Sequence, residues 1–135
     1  YYFEQDDVAF VGDTLFALGC GRLFEGTAEQ MWVSLEKLMA LPDATTVYCA
    51  HEYTQANAAF AITVEPDNLA LQARMEEITK LRREGIPTVP TSISLERATN
   101  PFVRATSADL QNTIGLTGAD PVAVFAETRK RKDHF

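Results

Sequence analysis

The stretch that decides the fold is VAFVGDTLF, residues 8–16. Its apolar run predicts a buried strand over residues 8–12, and an acidic residue, Asp13, follows where that strand ends. A second apolar run, residues 45–49, predicts another strand, and His51 follows it in the matching position. A helical pattern between the two runs completes a strand, helix and strand crossover, whose strands run parallel. Because parallel strands end on the same edge of a sheet, we expect Asp13 and His51 on one rim, where open α/β sheets bind ligands.

Composition limits the classes of protein to which these 135 residues can belong. Hydrophobic residues make up 46% and charged residues 23%, as in a soluble packed chain. A formal net charge of -7 argues against a nucleic-acid partner, because phosphate binding needs a surplus of lysine and arginine. No apolar run approaches the ~20 residues of a membrane span, and no signal-peptide pattern opens the chain. We therefore expect a cytoplasmic protein with no membrane partner, in which Cys20 and Cys49 are reduced.

The helix between the two strands carries clear boundary signals. Thr27 and Gln30 form a T-x-x-Q capping box at its start, and Pro42 stops it. Apolar residues recur at helical spacing between these limits, which predicts one stripe facing the core. The stripe comprises Met31, Leu35, Leu38 and Met39.

From residue 54 onward the sequence predicts helices and no further strand. Helical spacing covers residues 54–64 and about 68–84, and short helices follow an extended, proline-containing connection. N-cap residues of the short helices are Ser107 and Asp120. The predicted organisation is an α/β part over residues 1–62 and an all-helical part over residues 63–135.

The start of the chain predicts that the sequence is the latter part of a longer protein. It begins at Tyr1, without methionine, and runs almost at once into residues 8–11, which read as an interior strand. Such a strand needs neighbours on both sides and cover on both faces, and only one other convincing strand is found. We therefore expect the flanking strands of any ordered sheet to come from other segments.

The last predicted helix, starting near Pro121, places two cations on an apolar stripe. The stripe comprises Val122, Phe125, Arg129 and Lys132, whereas Lys130 and Arg131 point elsewhere. One account is purely structural: cations are favourable at a helix C-terminus, and their stems can cover apolar surface. The other account is a binding site for an anionic ligand.

Five stretches together carry a resemblance to a known family. They are VGDTLFALGCGRLFEG (11–26), VYCAHEYT (47–54), PTVP (87–90), NPFVR (100–104) and RKRKDHF (129–135). Over essentially the whole chain the sequence resembles glyoxalase II, or hydroxyacylglutathione hydrolase, of the metallo-β-lactamase superfamily. This resemblance implies the latter part of an αββα metallo-β-lactamase fold, followed by an all-α C-terminal domain.

The resemblance also implies a metal-dependent thioester hydrolase. Its substrate would be S-D-lactoylglutathione, hydrolysed to glutathione and D-lactate in methylglyoxal detoxification. The matching positions make Asp13 the bridge between two divalent metal ions and His51 a ligand of one of them, with zinc first and iron or manganese as alternatives. The other ligands of the family, in an H-x-H-x-D-H motif and one further histidine, are absent from this sequence. These 135 residues alone are therefore expected to be inactive.

The same resemblance assigns substrate contacts in a monomeric enzyme that acts on a small glutathione thioester. Arg129 and Lys132 would bind the carboxylates of the glutathione moiety, and Tyr53 and Arg22 would contact the same moiety. Arg22 stands where many relatives have lysine, which keeps a cation with a different geometry. Phe24 stands where some have tyrosine, so we expect it to pack and not to hydrogen-bond.

Two other classes of function stay open. One is another enzyme of the metallo-β-lactamase fold, such as a persulfide dioxygenase or a lactamase, but those relatives lack this helical tail and its basic ending. The other is a non-catalytic fragment that only binds or folds on a partner. Activity on lactoylglutathione would separate the first alternative from the thioesterase.

Overall fold

The computed structural model describes residues 1–135 and contains a four-stranded sheet, a two-stranded hairpin and six α-helices. The strands are β1 (Tyr2–Phe3), β2 (Val8–Gly12), β3 (Leu15–Phe16), β4 (Gly19–Cys20), β5 (Thr46–Cys49) and β6 (Thr91–Ser92). The helices are α1 (Ala28–Met39), α2 (Thr54–Val64), α3 (Leu69–Arg83), α4 (Ile93–Thr99), α5 (Ala108–Ile114) and α6 (Pro121–Asp133), with a 3-10 turn at Pro101–Val103. None of the helices combines the length and the apolar character needed to cross a bilayer.

The central pair of the sheet is the predicted crossover. The sheet order is β1-β2-β5-β6, and β2 and β5 run parallel, with Ala9 opposite Val47. The register shifts between Phe10 and Gly12, so Gly12 pairs with Cys49 at the ends of the two strands. Both strands therefore deliver their following loops to one edge, as the sequence predicts.

The prediction that the flanking strands come from other segments is wrong. Strand β1 pairs antiparallel with β2, and β6 pairs antiparallel with β5, so this chain supplies both neighbours. The expectation that no strand follows residue 54 is also wrong, because β6 lies at residues 91–92. Strands of two residues are too short to show the period-2 alternation by which a sequence reveals a strand. Strand β2 is also buried on one face only, because Ala9 is 1% exposed and Phe10 is 48% exposed.

Helix α1 joins β2 to β5 and begins as predicted. The Thr27 hydroxyl accepts from the Gln30 backbone N–H, and the Gln30 side chain accepts from the Thr27 N–H, which completes the capping box. The helix ends at Met39 with Ala40 as its C-cap, two residues before Pro42. Its inner stripe packs against the main core.

One hydrophobic cluster joins the two parts of the chain. Trp32 of α1 lies 6.0 Å from Phe125 of α6, and Phe125 meets Phe102 edge-on at 6.3 Å between ring centroids. The fully buried members include Leu15, Leu35, Val47, Ile93, Phe102, Leu110, Val124 and Phe125. A smaller cluster lies between α2 and α3 and comprises Leu18, Ala58, Ala61, Leu71 and Ile78. The main core thus crosses the predicted boundary, and the division at residues 62 and 63 stays a prediction.

Candidate active site

A cavity of about 480 Å³ opens at the sheet edge where β2 and β5 end. It is lined by Asp13, Phe16, Cys20, Gly21, Arg22, Phe24, His51, Tyr53, Ala56, Asn57, Arg129 and Lys132. All six residues that the sequence analysis selected as metal or substrate contacts are in this set. They come from the loops after β2, β4 and β5 and from α6, so the fold assembles one site from residues 13–22, 51–53 and 129–132.

Asp13 and His51 lie side by side at the rim. The His51 Nε2 atom is 3.3 Å from the Asp13 Oδ1 atom, and their side chains are 46% and 68% exposed. The parallel pairing brings them together, because the Ala50 N–H donates to the Gly12 carbonyl oxygen at 3.1 Å and thereby joins the two loops. The His51 ring stacks on Tyr53, with 4.8 Å between centroids.

The Asp13 and His51 pair fits part of a metal-ligand set. A carboxylate oxygen and an imidazole nitrogen are typical zinc donors, and two ligands about 2.0–2.2 Å from one tetrahedral ion lie about 3.3–3.6 Å apart. The observed separation of 3.3 Å falls in that range. However, the chain contains no group of three or more His, Cys, Asp or Glu side chains that could hold an ion. The chain therefore supplies two donors and not a complete site.

Arg129 is held firmly at the base of the cavity. Its side chain is only 6% exposed, and its Nε and Nη2 atoms donate to Asp133 Oδ1 at 2.9 and 2.8 Å. The Nη1 atom donates to the Cys20 carbonyl oxygen at 2.9 Å, which connects α6 to the β4 strand. The guanidinium also lies over the Phe102 ring, 5.0 Å from its centroid. Most of its donors are thus already used within the protein.

Lys132 differs from Arg129 in having no ion-pair partner. Its Nζ atom lies 6.0 Å from the centroid of the Phe60 ring and 5.8 Å from that of Phe135. Burial lowers the pKa of Lys132 below its ordinary value, and the positive charges of Arg129 and Arg22 lower it further. Three cations therefore share one cavity, which favours an anionic ligand there. Lys130 and Arg131 point elsewhere, as predicted, and Arg131 donates to the Ile114 carbonyl oxygen.

The two aromatic residues of the site differ in environment. Tyr53 is 49% exposed and meets Phe16 edge-on at 5.2 Å between centroids, so its ring is fixed while part of its surface faces solvent. Phe24 lines the cavity but is 85% exposed. The prediction that Phe24 packs is therefore wrong. It stands between β4 and α1 in a loop without regular structure, where no neighbouring element covers it.

Several lining or supporting residues escaped the sequence analysis. Asn57 donates to the Ala17 carbonyl oxygen at 3.1 Å, and Glu52 accepts from the Thr88 N–H at 3.1 and 3.2 Å. Cys20 lines the cavity, and burial raises the pKa of its thiol to about 11. No local pattern signals these contacts, because their partners are up to forty residues away.

A glycine does explain how the loop after β4 approaches Asp13. A Cβ atom on Gly21 would lie 2.1 Å from the Asp13 carbonyl oxygen, which no side chain could tolerate. The Gly-rich run at residues 19–21 was therefore a usable signal for close backbone contact. What the sequence could not show was the partner of that contact.

Two family models match the chain, and they meet beside His51. Residues 1–51 match the metallo-beta-lactamase superfamily, the class of protein that the sheet edge and its Asp13 and His51 pair define. Residues 52–135, more than half of the chain, match the hydroxyacylglutathione hydrolase C-terminus. The chain therefore belongs to the hydroxyacylglutathione hydrolase family, and the resemblance seen in its motifs is confirmed, as is the fold class.

Curated relatives agree with this assignment. A hydroxyacylglutathione hydrolase of Methylococcus capsulatus is 62% identical over 135 residues, which are 100% of this chain and 53% of the relative. Those of Rhodospirillum rubrum and Ruegeria pomeroyi are 58% and 57% identical over the same 135 residues, again 53% of each relative. The chain thus spans about half the length of the curated relatives it matches. Membership of the metallo-beta-lactamase superfamily implies divalent metal binding.

Proposed function

We propose that the full-length protein hydrolyses the thioester of S-D-lactoylglutathione to glutathione and D-lactate, and so acts in methylglyoxal detoxification. The observation that carries the proposal is the single cavity that joins the Asp13 and His51 pair to three cations. A glutathione thioester has the matching layout, with carboxylates at one end and a reactive carbonyl at the other. Family membership and the names of the relatives support the same reaction.

The cations would bind the glutathione end of the substrate. Lys132 has no ion-pair partner and is free to meet a carboxylate, and a hydrogen bond to a charged group is worth about 1.5–3 kcal/mol. Arg129 uses two of its N–H donors on Asp133 and one on the Cys20 carbonyl oxygen. Its contribution to substrate binding would therefore be mainly its positive charge and the fixing of these two neighbours in place. Arg22 and the Tyr53 hydroxyl, which line the same cavity, would complete the contacts.

Asp13 and His51 would hold the metal centre, for which we propose two divalent ions, zinc first and iron or manganese as alternatives. When bound, such ions supply Lewis acidity, which makes water a nucleophile near neutral pH and polarises the thioester carbonyl. His51 can serve only in its neutral form, and the structure points its Nε2 atom toward Asp13. The remaining ligands would come from outside these 135 residues, so their inactivity in isolation stays a prediction.

The departure of the product needs little help from this chain. A thiolate with a pKa of ~8.5 is a good leaving group and does not need a strong protein acid. We propose a cytoplasmic monomer that acts on this small molecule, without nucleic acid or membrane as partner. The net charge of -7 supports the exclusion of nucleic acid.

The test uses the full-length protein and the loss of thioester absorbance. We expect wild type to hydrolyse S-D-lactoylglutathione, and Asp13→Ala to lose bound metal and more than about 100-fold in activity, beyond the usual cost of losing an outer-shell partner. Asp67→Ala, at an exposed position before α3, is the control and should keep both. Two metals per chain in Asp13→Ala by elemental analysis would refute the ligand role. A wild type that hydrolyses only β-lactams, or oxidises persulfides, would refute the thioesterase.

A further inference from the structure

A buried polar cluster of Arg74, Thr91, Glu96 and Asn100 lies beneath the β3 and β4 hairpin. The Glu96 side chain is fully buried, and that of Arg74 is 5% exposed. The Glu96 Oε1 atom accepts from Arg74 Nη2 and from Thr91 Oγ1, both at 2.6 Å. One carboxylate oxygen is thereby committed to side chains from α3 and from β6.

The other carboxylate oxygen of Glu96 reaches the hairpin. Its Oε2 atom accepts from the Leu18 N–H and from Asn100 Nδ2, both at 2.9 Å. Asn100 Nδ2 in turn donates to the Gly19 carbonyl oxygen at 3.0 Å and to that of Phe16 at 3.3 Å. Leu18 has a φ of 60°, a left-handed conformation that is sterically unfavourable for leucine and needs support from its surroundings.

Side chains on α2, on α6 and directly after α4 donate to four of the five backbone carbonyl oxygens of residues 16–20, and the exception is that of Leu18. Besides Asn100, Asn57 binds the Ala17 carbonyl oxygen and Arg129 binds that of Cys20. The hairpin leads from Asp13 on one side to Arg22 on the other, and both residues line the cavity. A shift of the hairpin would therefore move a metal-ligand candidate and a substrate-contact candidate together.

A stability role alone is a weak explanation for this cluster. Burying a carboxylate and a guanidinium costs desolvation that their attraction often only offsets, so a buried ion pair is poor evidence for stability. Here all four acceptor positions of Glu96 are used, and two of the four point to the hairpin and its Asn100 support.

We propose that Glu96 is a positioning residue for the hydrolysis, which holds the hairpin through Leu18 and Asn100 so that Asp13 and Arg22 keep their places. The inference rests on the proposed function, yet its structural part can be measured separately. Glu96 does not touch the cavity and acts through the backbone of the hairpin.

The experiment compares Glu96→Gln with Glu65→Gln in the full-length protein. A glutamine at 96 must turn its NH2 group toward one of two pairs of donors, so one pair loses its acceptor. Glu65 is the matched control, because it is also buried, forms an ion pair with Arg104 at 2.8 Å and accepts a hydrogen bond from the Ser107 hydroxyl at 2.9 Å, without contact to the hairpin. The activity of both variants is measured at a temperature at which each is fully folded. We expect kcat/KM to fall by about 10- to 100-fold in Glu96→Gln, as for a small misplacement of reacting groups, and to stay near wild type in Glu65→Gln.

Amide hydrogen exchange at Leu18 gives a readout that does not depend on activity. Exchange should be faster in Glu96→Gln and unchanged in Glu65→Gln. Asn100→Ser is a second variant in case Glu96→Gln does not fold: its hydroxyl can still accept from the Phe102 N–H, but it cannot reach Phe16 and Gly19. It should show the same loss of kcat/KM and the same faster exchange.

Two outcomes would overturn the proposal, and a third would refute the proposed function without deciding the role of Glu96. If Glu96→Gln and Glu65→Gln changed kcat/KM equally, Glu96 would have only a structural role. The same would follow if amide exchange at Leu18 were unchanged in both Glu96→Gln and Asn100→Ser. If wild type hydrolyses no glutathione thioester, the proposed function fails. Leu18 exchange then decides alone whether Glu96 holds the hairpin.

Discussion

Arg129 and Lys132 lie on one stripe of α6 but have different surroundings. Arg129 is bound on both sides, by Asp133 and by the Cys20 carbonyl oxygen, whereas Lys132 has no ion-pair partner. A single helical stripe therefore combines a cation that organises the site with one that can meet a ligand. Helical spacing alone treats the two as equivalent.

Lys132→Ala should raise KM for S-D-lactoylglutathione roughly tenfold or more and leave kcat nearly unchanged. Under the proposed function, the lost contact would be to a remote anionic group of the substrate and would be equally strong in the ground state and the transition state. Arg129→Ala should raise KM as well, but it should also lower the free energy of unfolding by about 1–3 kcal/mol, since it leaves Cys20 and Asp133 unpaired. Lys130→Ala, on the exposed side of the same helix, is the control. Steady-state kinetics that show an unchanged KM for Lys132→Ala would contradict the assignment.

Cys20 should resist alkylation in the native protein. Its pKa is raised from 9.0 to about 11 by burial, and the nearby Arg129 cation only partly opposes this. At a pH below both pKa values, the thiolate fraction of Cys20 is about 100-fold smaller than that of an ordinary thiol. Only the thiolate reacts readily with the alkylating reagent. Mass spectrometry after iodoacetamide treatment at pH 8 should find the label on Cys49, which is less buried, and on both cysteines after unfolding. Equal native labelling rates would disprove the environment described for Cys20.

Among the elements, α1 connects the two site-bearing strands without contributing a lining residue of its own. Its capping box fixes where the crossover helix begins, with the N-cap Thr27 seven residues after Cys20. Gly26 before the cap has a φ of 83°, and a Cβ there would lie 2.4 Å from the Gln30 side-chain oxygen. The start of the helix is therefore set by local chemistry, separately from the site.

Thr27→Ala should lower the free energy of unfolding by about 1 kcal/mol, the usual cost of removing an N-cap side chain. The kcat/KM of the full-length protein should not change, because the cap lies outside the cavity. Urea unfolding monitored by circular dichroism measures the loss. Thr79→Ala, within α3 and exposed, is the matched control and should change stability by less than about 0.5 kcal/mol. A loss of activity without loss of stability in Thr27→Ala would contradict this separation.

The molecule as a whole is organised around a core that both family-matched segments share. Trp32 comes from residues 1–51, and Phe102 and Phe125 come from residues 52–135, yet the Phe125 ring packs against both of the others. The outer face of the sheet is different, because Phe10 and Tyr48 stack at 5.1 Å while 48% and 39% exposed.

The two segments should melt together. Trp32 is the only tryptophan among these 135 residues, so the fluorescence of this chain reports its first segment, whereas far-ultraviolet circular dichroism reports mainly the helices of the second. Coincident midpoints are expected for one cooperative unit. Phe125→Ala should lower both midpoints together, with a loss of about 3–5 kcal/mol, and Leu69→Ala, whose side chain is 76% exposed, should lower neither. Separate transitions would show that the predicted parts, residues 1–62 and 63–135, unfold independently.

Local pattern and chirality were sufficient to predict the parallel crossover, the capping box and the placement of Asp13 and His51 on one edge. Each of these depends on neighbours in sequence or on the fixed handedness of a crossover. The motifs likewise led to six of the twelve residues that line the cavity, and their roles as metal ligands or substrate contacts stay predictions. Only the tertiary structure revealed β1 and β6, the exposed Phe24, the fixed state of Arg129 and the Glu96 cluster. These features depend on pairings between residues far apart, such as Leu18 with Glu96, 78 positions away, and no local periodicity records such a partner.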